Sequence, residues 1–195
     1  GGEIAHAYSN YNVKTDTKLL WMNAAEVAFL RAEGVLKGWN MGDKAGNFYA
    51  KGIKLSFEQW GVSGAEKYLA DAASTPALYN DPVGNNSYSG KTSTITIAWN
   101  DSDTPEQQLE RVITQKWLAM FPLGLEAWAD YRRTGYPQLM PVKINNSGGI
   151  VSTARGARRL AYPQEERINN LDNYNAAVGL LGGADNMATD VWWAK

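Results

Sequence analysis

Two carboxylates, Glu126 and Asp130, stand four residues apart and so share one face of any helix that carries them. Two acids flanking a glycosidic bond are sufficient for its hydrolysis, which makes this pair the first chemistry to weigh. Arg132 and Arg133 follow at once. Cations so close favour the charged carboxylates, whereas a general acid needs the opposite shift. The pair therefore reads as part of an ion-pair network at a helix end, and no enzymatic activity is expected. His6 is the single histidine and there is no cysteine. A thiolate nucleophile and a Cys-based zinc site are excluded, and a serine triad would have only distant His6 as its base. Asp101 and Asp103 have the opening spacing of a calcium loop, but no Gly or Glu follows at the required offsets, so a loop or capping role is expected. No phosphate-binding glycine pattern occurs. Neither a cofactor nor a metal is expected.

What remains is binding chemistry. Eight Trp and ten Tyr are an excess for 195 residues. Aromatic rings fill cores first, but their flat apolar faces also stack on sugar rings. Trp21, Trp117 and Trp128 fall in helical runs and are expected to be packed. Trp39, Trp60 and Trp99 fall at element ends or in loops, where partial exposure is easier. Tyr79 and Tyr88 lie in a polar, helix-breaking stretch and are the best candidates for presented rings. Asn85, Asn86 and Asn100 could supply the hydrogen bonds that sugar hydroxyls require. The candidate ligand-binding set is thus Tyr79, Tyr88, Trp39, Trp99, Asn85 and Asn86. Of the adjacent pair Trp192 and Trp193, one is expected to be buried and the other to lie on the surface, because neighbours on an extended segment face opposite ways.

The elements that must position these residues are mostly helical. Asn23 with Glu26 gives a capping-box-like start and Gly38 a stop; between them Ala25, Phe29, Ala32 and Leu36 share a face. Tyr49, Ile53 and Phe57 repeat every fourth residue before Gly61. Ser63 and Glu66 suggest another capping box ahead of Tyr68 and Leu69. Thr104-Pro105-Glu106-Gln107 combines an N-cap, a Pro at the first helical position and a Gln at the third. Leu109, Val112, Ile113, Trp117 and Met120 are expected to line one side of the helix that follows. Helices are thus predicted near 23–37, 43–60, 105–121 and 123–134, with a last short one from Asp172 to about Leu181. Residues 74–103 should be irregular apart from a short strand over 94–99, and 136–170 largely irregular with Gly148-Gly149 a loop tip. Arg132-Arg133-Thr134-Gly135-Tyr136-Pro137 reads as a helix end whose arginines pin the irregular segment through carboxylates and carbonyls. The fold class is all-α: tetratricopeptide-like helical hairpins with long irregular loops.

A chain of this length is one domain or a large piece of one, able to bury roughly 70% of its unfolded surface. Hydrophobic residues at 44%, charged residues at 20% and a net charge of -1 are ordinary for a globular protein and leave no basic field for nucleic acid. No apolar run approaches the roughly 20 residues of a membrane helix.

Several blocks then occur in one order. Ile113-Thr114-Gln115-Lys116-Trp117 leads to Gly124-Leu125-Glu126-Ala127-Trp128 and to Asp130-Tyr131-Arg132-Arg133-Thr134-Gly135-Tyr136-Pro137. Arg159-Leu160-Ala161-Tyr162-Pro163, Glu166, Asn169-Asn170 and Asp190-Val191-Trp192-Trp193 follow. From about Leu20 onward this series resembles the carboxy-terminal part of the SusD/RagB-like family, and within it the SusD-like branch. The resemblance implies a lipid-anchored, surface-exposed outer-membrane protein of Bacteroidota that binds oligosaccharides or other nutrients without catalysis. It implies a partner too, a TonB-dependent transporter of the SusC type. Family members are longer and carry a lipidated amino-terminal Cys, and this chain opens on Gly1-Gly2. Residues 1–195 are therefore expected to be the carboxy-terminal part of a SusD-like helical domain, without the anchor and the first half. The rival reading is a helical-repeat interaction scaffold with no small-molecule site.

Overall fold

The computed structural model describes residues 14–18, 20–90 and 92–194; His6 lies outside them. Seven helices occur among the described residues: α1 (Ala24–Leu36), α2 (Ala45–Gln59), α3 (Ala65–Leu69), α4 (Pro105–Ala119), α5 (Gly124–Thr134), α6 (Gln164–Asn169) and α7 (Leu171–Gly179). No strand is present among them, and the all-α fold stands. The chain divides into two compact units, residues 1–131 with 136–138, and residues 132–135 with 139–195.

In the first unit the local signals translate directly into helix ends. The Asn23 side chain accepts the Glu26 N–H at 2.6 Å. Thr104 and Gln107 form a reciprocal capping box with Pro105 behind it. α1 ends as Gly38 takes φ +82° and the Trp39 N–H returns to the Gly34 carbonyl. α2 ends the same way, with Gly61 at φ +63° and the Val62 N–H on the Phe57 carbonyl. This arrangement satisfies carbonyls that would otherwise be orphaned.

α1 and α2 pack face to face, and α4 closes the third side. Phe29, Tyr49, Val112 and Ile113 are completely buried. A Cβ on Gly52 would lie only 2.7–2.8 Å from the Phe29 ring tip, so the bare Cα is what allows α2 to approach α1. Small Ala25 and Ala32, both buried, serve the same close packing from the α1 side. Phe29 and Tyr49 meet edge to face at 6.2 Å.

Four expectations are corrected here. Residues 94–99 form no strand, because other donors take their carbonyls. Arg111 of α4 holds those of Thr96 and Ala98, and the buried Tyr49 hydroxyl holds that of Ile97 at 2.6 Å. Burial also pushes the Tyr49 hydroxyl pKa upward. Ser63 and Glu66 form no capping box: α3 starts from Gly64 at φ +95° without a side-chain cap, and Glu66 pairs with Lys54. Trp21 precedes the Asn23 cap and is 82% exposed. Trp117 is 38% exposed because the stripe of Leu109, Val112 and Ile113 continues through Lys116, one position earlier.

That buried Lys116 is a junction. Its ammonium lies 2.7 Å from Asp130 of α5 and 3.4 Å from Glu26 of α1. Asn23 adds a hydrogen bond to the Ala119 carbonyl at 3.0 Å. A buried cation held by two carboxylates fixes helix register, since losing either partner strands a charge in low dielectric.

The second unit is built differently. α5 stops at Gly135, φ +81°, as its sequence requires. Arg132 donates to the Arg158 carbonyl at 3.1 Å and Arg158 returns a bond to the Arg132 carbonyl at 2.9 Å. Asp190 receives Arg158 at 2.5 Å and Arg155 at 2.8 Å. The Asp185 carboxylate, 4% exposed, accepts from Arg159, Arg167, the Tyr174 hydroxyl and the Tyr162 N–H. Burial alone would raise its pKa, but these donors outweigh it and hold the carboxyl well below the usual range. Gly148 and Gly149 both have positive φ at a loop tip. The stretch expected to be irregular contains α6, whose six residues are too few for a periodic signal. Trp192 is 95% exposed while Trp193 lies under Arg132, 4.7 Å from the guanidinium to the ring.

Candidate functional site

Four of the six candidate residues come together in one hairpin. Tyr79 and Tyr88 form an antiparallel bridge, each N–H bonding the other's carbonyl at 3.2 and 2.8 Å. Directly opposed residues in such a pair project their side chains from the same side of the hairpin. Both are half-buried; the Tyr88 ring occupies the space that a side chain at position 90 would need, and Gly90 leaves it open.

The turn between them is set by Asp81, a residue only 3% exposed. Its carbonyl accepts the Gly84 N–H at 2.9 Å, and Gly84 has φ +80°. Its carboxylate accepts the backbone N–H groups of Val83, Asn85 and Asn86 at 3.2, 2.9 and 2.7 Å. The Ser87 hydroxyl accepts the Asp81 N–H at 2.9 Å. Bonds from backbone donors to a carboxylate are stronger than neutral ones, so this short loop is held firmly. Asn85 and Asn86 spend their backbone donors on Asp81 and remain exposed to solvent. The organiser had a sequence signal: Asp81-Pro82-Val83-Gly84 places Asp, Pro and Gly where a tight turn wants them.

Trp99 sits apart from this hairpin. Its ring packs over Gly46, whose Cβ would fall 2.7 Å from it, and lies 5.3 Å from Tyr49. Its indole N–H donates to Asp101 at 2.7 Å. It borders a recess of about 400 Å³ whose wall includes Thr94, Thr96, Asn100, Asp103 and Arg111. Asp103 pairs with Arg111, and Asn100 donates to Asp103 at 2.7 Å, so Asp101 and Asp103 act as loop fasteners. Sequence reasoning missed Arg111 because its partners lie eight to fifteen residues away. Trp39, 66% exposed, rides on the turn after α1. At the entry to the segment, hydrogen bonds from Ser74 and then Ala73 hold the Asp71 carboxyl below its ordinary pKa.

Glu126 is exposed on α5, while Asp130 is 5% exposed and carries the Lys116 ion pair. The sequence reading looked for cations only along α5 and missed the one that α4 supplies. The two carboxylates therefore differ sharply in environment, and one of them is committed to the core. Among the described residues no group of three or more His, Asp or Glu is placed to hold a metal ion. None of the described helices is long and apolar enough to cross a membrane.

Comparison with known proteins gives this geometry a context. No curated protein matches the chain. A SusD homolog from Bacteroides uniformis is 56% identical with a TM-score of 0.94, over 96% of this chain and 39% of that one. A SusD homolog from Bacteroides thetaiotaomicron is 49% identical with a TM-score of 0.90, over 96% of this chain and 41% of its own. A chitin-binding SusD homolog from Flavobacterium johnsoniae is 52% identical with a TM-score of 0.83, over 88% and 36%. The chain thus spans about two fifths of the length of these solved structures. The family model described as SusD-like, "Susd and RagB outer membrane lipoprotein", matches residues 2–194. With nearly every residue inside that match and the helices superposing on solved homologs, the chain belongs to the SusD-like family.

Proposed function

We propose that this chain is the carboxy-terminal part of a cell-surface lipoprotein that captures oligosaccharides without catalysis and passes them to a SusC-type TonB-dependent transporter in the outer membrane. The observation that carries the reading is the tyrosine pair. Tyr79 and Tyr88 oppose each other, each half-buried, on a hairpin whose turn donors are already used by Asp81, with Asn85 and Asn86 exposed in the turn. Such a surface offers stacking faces and amide hydrogen bonds, the two interactions a neutral sugar needs. Trp99 and Trp39 are assigned supporting places, Trp99 at the wall of its own recess. A relative described as chitin-binding makes chito-oligosaccharides the first ligands to try. Non-catalysis is supported by Asp130, whose carboxylate is engaged by Lys116. A net charge of -1 supports a neutral ligand and binding with weak salt dependence.

Calorimetric titration of chito- and other oligosaccharides against the parent and a Tyr79→Ala/Tyr88→Ala variant tests the assignment. Binding should be modest, insensitive to salt, and lowered at least tenfold in the variant. Equal binding by both proteins removes the tyrosines from the site. Hydrolysis of any of these sugars, abolished by Glu126→Gln, overturns the non-catalytic reading.

A further inference from the structure

A second recess lies among the helices and shares no wall residue with the one beside Trp99. It measures about 230 Å³, and Phe57 of α2, Trp60 at the C-cap of that helix, Tyr68 of α3 and Gln115 of α4 contribute to its wall. That is below the usual range for drug-sized ligands and suits a single small ring. Its aromatic side is well defined. Phe57 and Tyr68 are 5.4 Å apart, and Trp60, half-exposed, leans on Phe121 at 5.9 Å.

The polar side is the informative one. Gln115 is 8% exposed, and its Oε1 accepts the Tyr68 hydroxyl at 3.1 Å. The other end of that amide has no partner, yet it is not among the atoms sealed from solvent. A deeply buried lining residue whose amide has one reachable atom not engaged by the protein offers a hydrogen-bonding position at an aromatic-walled cleft. Ser56 adds a hydroxyl to the same wall. An apolar side chain inserted here would bury these groups unsatisfied, at a cost of about 1–3 kcal/mol each. A ring with an apolar face and polar edges fills the cleft and meets the amide at once.

We propose that this cleft is a second carbohydrate subsite, taking one neutral sugar ring, with Trp60 as its stacking face and the Gln115 amide as its hydrogen-bonding anchor. The inference rests on the carbohydrate reading above but uses none of the hairpin residues. It makes the chain a two-point binder: an oligosaccharide meets the hairpin, while a separate ring is held among the helices.

The test is NMR titration of the chain with glucose, galactose and N-acetylglucosamine, following the Gln115 side-chain amide and the Trp60 indole N–H, with indole as an apolar control. Saturable shifts of both signals by at least one sugar are expected. Gln115→Met keeps the side-chain volume and removes the amide; Trp60→Ala, at a half-exposed helix end, is the second variant should the first not fold. Either should weaken sugar binding at the cleft about tenfold. The subsite is overturned if indole alone shifts the two signals, or if sugars bind equally to the parent and the folded variant. Calorimetry on the same samples separates the two readings. Oligosaccharide binding that depends on the tyrosines, with no sugar in the cleft, removes the cleft alone; no binding of any sugar anywhere removes both.

Discussion

The two units hold themselves together by different means. Around α1, α2 and α4 the interior is apolar: Phe29, Tyr49, Val112 and Ile113 are sealed, and charge enters chiefly through Lys116 with its carboxylates and through Arg111. Residues 139–194 carry short helices with no fully buried hydrophobic residue among them, and their fixed points are the carboxylates of Asp185 and Asp190 with their arginines. Burial of apolar area is non-directional and tolerates exchange of shape, whereas a buried charge node depends on each partner and on pH. One unit should therefore fail through lost volume and the other through lost charge.

The largest effect is expected in the apolar unit. Phe29→Ala should cost about 3–5 kcal/mol, read as a lowered denaturant midpoint. A loss under about 1 kcal/mol would mean that α1 and α2 are not held by that ring. Next comes Asp185→Ala, which strands Arg159 in a buried place and should cost about 3 kcal/mol. Arg159, on the other side of that node, is itself only 6% exposed. Retained stability there would erase the contrast between the units.

Acid should reach the second unit through the same carboxylate. The folded Asp185 pKa is depressed, so its stabilisation is complete above the unfolded value near 3.9 and is lost as pH falls from there through the folded value. Amide protection among residues 159–190 should weaken below about pH 4, and this loss should be smaller in Asp185→Ala, where Asp190, held low against its own burial by Arg158 and Arg155, still contributes. The smallest effect is expected at Trp117. Partly exposed on α4, its replacement by alanine should cost on the order of 1 kcal/mol, far less than Phe29→Ala. A loss as large as that of Phe29→Ala would restore Trp117 to the core.

What the sequence made legible follows the same division. Asn23, Thr104, Gly38, Gly61 and Gly135 act on backbone groups within a few residues, and each did locally what its type dictates. Helix periodicity likewise located α1, α2, α4 and α5. At Trp117 the hydrophobic type does not reveal direction, because the geometric stripe runs through Lys116, whose charge is answered from two other helices. Residues 94–99 looked like a strand by alternation, but strand formation requires a neighbour that no local pattern supplies. Asp185 reaches back to Arg159, Tyr162 and Arg167 across 18 to 26 residues. Such pairings leave no spacing to read. Of the candidate site, the aromatic and Asn composition was legible; the pairing of Tyr79 with Tyr88 across the hairpin depends on Asp81, and only the Asp-Pro-x-Gly turn hinted at it.

The bare Cα at position 52 has an effect on inheritance as well as on packing. Since the Phe29 ring tip fills the place where a side chain would begin, the two positions cannot vary independently. Gly52→Ala alone overlaps the ring, and Phe29→Leu alone leaves space unfilled; made together, each relieves the other's fault. Coupling between touching residues of this kind is about 0.5–3 kcal/mol. Any lineage that changes one of these two residues passes through a less stable protein until the second changes. Residues 29 and 52 thus behave as one evolutionary character written at two places in the chain.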